Sequence, residues 1–186
     1  MELRSHMQCV SAITVVFVCT SLPVLGHANA PTYMTVSFAL ASALIALSTM
    51  DIYTYRLPDL LTLPLVGAGL VVSYWLEVQP VLLSAVSALF GFILLFIVAQ
   101  VYRHVRHRAG IGLGDAKLLS AAGAWLGAEA IPTVLLLASM SGLVWAGLQS
   151  FVGSRLTATT RLPFGPFLAL GMWIAWLYGP IHSTLP

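Results

Sequence analysis

The sequence predicts an all-α, polytopic transmembrane bundle of about seven helices, and three observations predict it. Of 186 residues, 59% are hydrophobic and only 8% are charged, against about 25% charged in an ordinary globular domain. So few charges cannot cover a water-facing surface. Apolar runs of about 20 residues recur, the length a helix needs to cross the hydrocarbon core, and the short alternating segments of a transmembrane barrel are missing from the pattern. The basic residues, finally, fall on one side when the runs alternate in direction. No polar stretch is long enough to build a second core, so residues 1–186 are expected to form one integral membrane domain.

The apolar runs lie at roughly 8–26, 33–50, 60–77, 80–102, 115–130, 131–151 and 163–181. The first holds both cysteines, Cys9 and Cys19, which form no CxxC pair and read as small buried hydrophobes. It ends in "GHANAP", where Ala28-Asn29-Ala30 fits a signal-cleavage pattern. The length of the run favours an uncleaved helix, and cleavage would leave six. The later runs are rich in Gly, Ala and Ser ("SALFG", "SAAGAWLG", "SMSGLVWAG"), which lets helices approach closely in a bilayer. Trp75, Trp125 and Trp176 read as interfacial anchors. The longest polar connection is "YRHVRHRAGIGLG". Its Arg103, His104, Arg106, His107 and Arg108 read as a topology determinant, with recruitment of anionic lipid or an acidic substrate segment as the functional alternative. His104 and His107 lack the further ligands a metal site needs.

With residue 4 on the cytoplasmic side, alternation puts Arg4, Arg56, Arg103, Arg106, Arg108, Lys117, Arg155 and Arg161 all on that side. These are all eight basic residues, and the opposite side carries only Glu77 and Glu129 as charges. The positive-inside rule fixes the orientation accordingly.

This topology brings two carboxylates to one level. Asp51 ends the second run and Asp115 opens the fifth, both at the cytoplasmic end. Such a pair can hold a water, with the ionised member taking its proton and the protonated member polarising a carbonyl under attack. Like charges at short range cannot both ionise, so the pair should share a proton and titrate as a unit. The simpler readings are that Asp115 caps a helix, that Asp51 marks a membrane boundary, and that Asp59, after Pro58, is a first-turn residue. Gly112 and Gly114 leave the backbone before Asp115 uncrowded and free to take unusual dihedrals, so an extended substrate could pair with it.

Three stretches, "DIYTYRLPDLLTLPLVGAGL" (51–70), "GIGLGDAKLLSAAGAWLG" (110–127) and "LPFGPFLALG" (162–171), closely resemble the signature stretches of the type IV prepilin leader peptidases, of the GxGD class of intramembrane aspartyl proteases. The resemblance runs from about residue 35 to 180. It implies that Asp51 and Asp115 are the two catalytic aspartates. It also implies cleavage of type IV prepilins or type II secretion pseudopilins after a glycine, at the cytoplasmic face of the bacterial inner membrane. The implied partners are that precursor and the lipid bilayer, and nucleic acid is not expected. Proteolysis of this kind takes no cofactor and no metal.

Large members carry a cytoplasmic domain between their first two helices, often with CxxC motifs, and many methylate the new amino terminus with S-adenosylmethionine. Here that connection is the short "GHANAPT" and no CxxC occurs, so a peptidase-only short form is expected. S-adenosylmethionine enters only if methylation is retained. Supporting or substrate-binding roles fall to Gly112, Gly114, Lys117, Pro58, Asp59, Pro163, Gly165 and Pro166. Lys117 would tune the pair, contact lipid phosphate or snorkel at the interface. "PFGPF" (163–167) would start the last helix and shape a cleft beside the aspartates. The alternatives are a bifunctional peptidase and N-methyltransferase and, from another class, a small transporter, whose carboxylates would lie nearer the midplane.

Overall fold

The computed structural model describes residue 17 and residues 31–77, 79–106, 112–151 and 163–179. Apart from Phe17, the apolar run at 8–26 lies outside the described residues, as do Arg4, residues 26–30 of the "GHANAP" junction, His107, Arg108, Arg155 and Arg161. Among residues 31–179 that are described, six α-helices follow in order: α1 (Pro31–Thr54), α2 (Asp59–Trp75), α3 (Val81–Arg106), α4 (Leu113–Leu126), α5 (Ile131–Phe151) and α6 (Gly165–Tyr178), with a 3₁₀ turn at Ala128–Ala130. There is no strand among the described residues. Three helical stretches, Thr32–Thr54, Val81–Val105 and Ala128–Gln149, are long and apolar enough to cross a membrane. The chain is an all-α membrane protein.

The outer helices turn large apolar side chains outward. Leu82, Leu89, Ile97 and Val105 of α3 are exposed, as are Leu60 and Leu63 of α2 and Leu143 and Val144 of α5. Lipid accepts such side chains, and close interhelical approach is left to small residues inside the bundle. Helix α4 is the clearest case. Ala116, Ala121, Ala122, Gly123 and Ala124 are buried in it, and it packs most extensively on α3 and α2 and also touches α6. Between α3 and α4, Gly91 lies against the Leu119 carbonyl and Gly123 against that of Ser87, with no room for a methyl group at either. Ser73 and Ser84 hydroxyls meet at 2.7 Å between α2 and α3, a buried polar link of the kind that joins membrane helices.

The sequence places the fifth apolar run at 115–130, but α4 ends at Leu126. The reason is Gly127, whose φ of +86° breaks the helix. Helices α4 and α6 have 14 residues each, about 21 Å, shorter than the ~30 Å hydrocarbon core. Both are enclosed by other helices, so they need not match the lipid.

Two of the three tryptophans expected at the interface are core residues instead. Trp125 and Trp176 are 2% and 7% exposed and meet edge to face at 5.5 Å. The Trp125 indole donates to the Leu65 carbonyl at 2.8 Å and the Trp176 indole to Ser37 Oγ at 2.9 Å. Internal hydrogen bonds replace the headgroup contacts an anchor would make. Trp75, at the end of α2, is 73% exposed and fits an interfacial position.

The registers fix depth. With Gly91 on Leu119 and Gly123 on Ser87, the antiparallel α3 brings Leu95 level with Asp115. Helix α3 then runs on eleven residues to Arg106, about 16 Å at 1.5 Å per residue. Gly142 faces the Phe167 ring and Gly171 faces the Val134 carbonyl, so α5 likewise passes the start of α6 and continues. The end of α1 and the starts of α2, α4 and α6 gather at one level, below the rims of α3 and α5.

Candidate active site

The site grows from the last turn of α1. Asp51 is 6% exposed there, and its carboxylate Oδ2 accepts the Gly165 N–H at 3.0 Å. A helix start leaves its first N–H groups without intrahelical partners, and the accounting at α6 closes on Asp51. Pro166 has no N–H to satisfy, and the N–H groups of Phe167 and Leu168 both donate to the Phe164 carbonyl at 3.1 Å. Only the Gly165 N–H needs a partner outside its own segment, and Asp51 supplies it. The helix dipole adds to this attraction.

Gly165 is required sterically. A Cβ at this position would stand 2.7 Å from Asp51 Oδ2. Pro163 is half-buried and Pro166 buried beside it. "PFGPF" does start the last helix, and its glycine is where α6 meets Asp51.

Asp115 is the third residue of α4 and is 7% exposed. Its Oδ2 accepts the Gly112 N–H at 3.3 Å, the reaching-back half of a capping box. The capping reading of Asp115 is therefore correct as geometry, and it does not exclude chemistry. Each aspartate commits Oδ2 to a backbone N–H, while Oδ1 of each has no hydrogen-bond partner among the described residues. The Asp51 and Asp115 carboxylates are near enough to act on each other electrostatically.

The glycines before Asp115 are there for a different reason than dihedral freedom. Gly112 sits at φ −77°, ψ 149°, which any residue adopts, and Gly114 is helical. Gly114 is needed because a Cβ there would lie 2.7 Å from Leu57 Cβ. Leu57, 9% exposed, joins the site although the sequence pattern does not single it out. Its one sequence signal is an apolar side chain between Arg56 and Pro58 in an otherwise polar connection. Docked on Gly114, it ties the segment after Asp51 to the one that carries Asp115.

Lys117 does not reach toward the aspartate pair. It forms an ion pair with Asp59, at side-chain exposures of 26% and 61%. Asp59 is the first residue of α2, as the sequence implied, and Pro58 takes the N-cap position without a side-chain cap. The pair joins α2 to α4 across the bundle, an arrangement set by helix packing and invisible in the local sequence. No group of three or more His, Cys, Asp or Glu side chains that could hold a metal ion is found among the described residues.

Residues 38–147, which include both aspartates, match the model of the type IV leader peptidase family. The chain is 43% identical over 135 residues to a protein of Burkholderia pseudomallei named prepilin leader peptidase/N-methyltransferase, covering 73% of this chain and 43% of that one. Proteins of the same name from Xanthomonas campestris and Dichelobacter nodosus are 36% identical over 146 residues and 33% identical over 153. These cover 77% and 82% of this chain and 50% and 52% of theirs. The chain thus spans about half the length of the relatives it matches. No solved structure matches it. The chain belongs to the type IV leader peptidase family.

Proposed function

We propose that this chain is an aspartyl endopeptidase that removes the leader of type IV prepilins or type II secretion pseudopilins, cutting after a glycine at the cytoplasmic face of a bacterial inner membrane. The observation that carries the reading is the approach of Asp51 and Asp115, from helices distant in sequence, both buried, within electrostatic reach of each other and each with one oxygen that has no partner among the described residues. One ionised carboxylate takes a proton from a water held between the two, and the resulting hydroxide attacks the scissile carbonyl. The other, protonated, donates to the carbonyl oxygen as it gains charge. Returning the proton to the leaving nitrogen completes the cleavage. The two backbone N–H anchors keep each carboxylate aimed, so little reorganisation is needed. The names of the relatives, prepilin leader peptidase/N-methyltransferase, support the substrate class.

The proposed activity is proteolysis by a single membrane domain, without metal or cofactor. Two carboxylates and a water suffice for this chemistry. The second half of the relatives' name favours one further reading, methylation of the new amino terminus from S-adenosylmethionine. One experiment addresses both. A type IV prepilin is co-expressed with wild type, Asp51→Asn and Asp115→Asn at matched accumulation, and the product is weighed by mass spectrometry. Wild type should cut after glycine and both variants should lose activity by on the order of 10³-fold. A product heavier by one methyl group would establish methylation. Cleavage by both variants would remove the aspartates from the mechanism.

A further inference from the structure

Two non-glycine residues among those described hold a positive φ, and one of them, Tyr55 at φ 52°, closes the helix that carries Asp51. Glycine enters this left-handed region freely, whereas a residue with a Cβ is strained there. The turn is held by its own backbone and by Thr54. The Tyr55 N–H donates to the Asp51 carbonyl at 2.8 Å, which is the usual left-handed helix cap. The Thr54 hydroxyl lies 2.8 Å from the Met50 carbonyl and 3.1 Å from that of Arg56. Leu57 then docks on Gly114. A glycine at 55 would make the same turn with less strain, so the path of the chain does not account for tyrosine.

What tyrosine adds is its ring. It is 48% exposed, four residues beyond a buried aspartate, and its hydroxyl has no partner among the described residues. Anchoring at the membrane interface explains an exposed tyrosine at this level, and Tyr53, 57% exposed two residues earlier, meets that need without strain. Strain retained beside a reactive pair points to use.

We propose that Tyr55 is a substrate-contact residue, its ring packing on the peptide that flanks the scissile bond on the side away from the substrate's hydrophobic helix. Tyr55 lies past the last residue of α1, in the connection to α2, and Leu57 of the same connection docks beside the start of α4; this position, beyond the helix end that carries Asp51, assigns it to that flank. The proposal rests on the endopeptidase reading above.

The test uses the full chain in phosphatidylethanolamine–phosphatidylglycerol vesicles with a type IV prepilin. Tyr55→Gly relieves strain, so it should unfold at a temperature no lower than wild type. Its KM should rise roughly tenfold, the effect of losing a packed aromatic ring, while kcat stays within about twofold. Tyr55→Phe, which keeps the ring, should restore the KM. A glycine variant with unchanged KM overturns the proposal, and so does one that loses only kcat, since the ring would then act through the carboxylates. If folded wild type leaves the prepilin intact, the endopeptidase reading fails and the role of Tyr55 fails with it.

Discussion

Replacing Gly165 with alanine should displace Asp51 while leaving the protein folded. The added Cβ would stand 2.7 Å from Asp51 Oδ2, and nonbonded heavy atoms settle at roughly 3.5 Å, so the carboxylate must retreat by about 0.8 Å. The Gly165 N–H to Oδ2 distance of 3.0 Å then stretches to about 3.8 Å, beyond hydrogen-bond range. Losing a hydrogen bond to a charged group costs about 1.5–3 kcal/mol. Alanine in a helix returns about 0.5–1 kcal/mol relative to glycine, so the net loss is on the order of 1–2 kcal/mol. The effect on rate is larger, because misplacing a reacting group by 1 Å can cost about 10²-fold. The expected kcat is roughly 30- to 100-fold below wild type. Time courses of prepilin processing in membranes, at matched accumulation, give the rate. A Gly165→Ala variant that accumulates normally and processes at the wild-type rate would refute the reasoning, since Asp51 would then have slack that the geometry denies it.

Other outcomes follow from the same geometry. Asp59→Ala or Lys117→Ala should change thermal stability in detergent by no more than about 1 kcal/mol, because the ion pair is partly in water; processing should fall less than about fivefold, and a larger fall would restore Lys117 to the mechanism. Gly123→Ala drives a methyl group into the Ser87 carbonyl, and overpacking of this kind costs about 1–3 kcal/mol, readable as a lowered melting temperature with fluorescence detection. Plotted against pH, kcat/KM should fall on both sides of a maximum. Below it both carboxyls are protonated and no base remains, and above it both are ionised and no acid remains; a monotonic profile would exclude a shared proton.

The apolar runs at 33–50, 60–77, 80–102 and 131–151 correspond to α1, α2, α3 and α5 within a few residues. Length and hydropathy suffice there, because lipid-exposed backbone must satisfy itself as helix. The convergence of Asp51 and Asp115 was legible as well, from the one-sided charges. What was not legible depends on packing. The Lys117–Asp59 pair needs α2 beside α4, Leu57 needs Gly114 opposite it, and the burial of Trp125 and Trp176 needs their partners Leu65 and Ser37. The role of Gly165 belongs to the same class: the sequence marks a helix start, and only the fold puts a carboxylate against it.

The register of α3 against α4 also fixes a reach. Leu95 lies level with Asp115, and Arg103 stands eight residues further along α3, about 12 Å toward the end of that helix. An extended chain covers about 3.3 Å per residue, so a peptide needs roughly four residues to pass from the level of the aspartates to that of Arg103. Charges on a substrate within about four residues of the cut bond would therefore lie short of Arg103, and only charges further out could meet it.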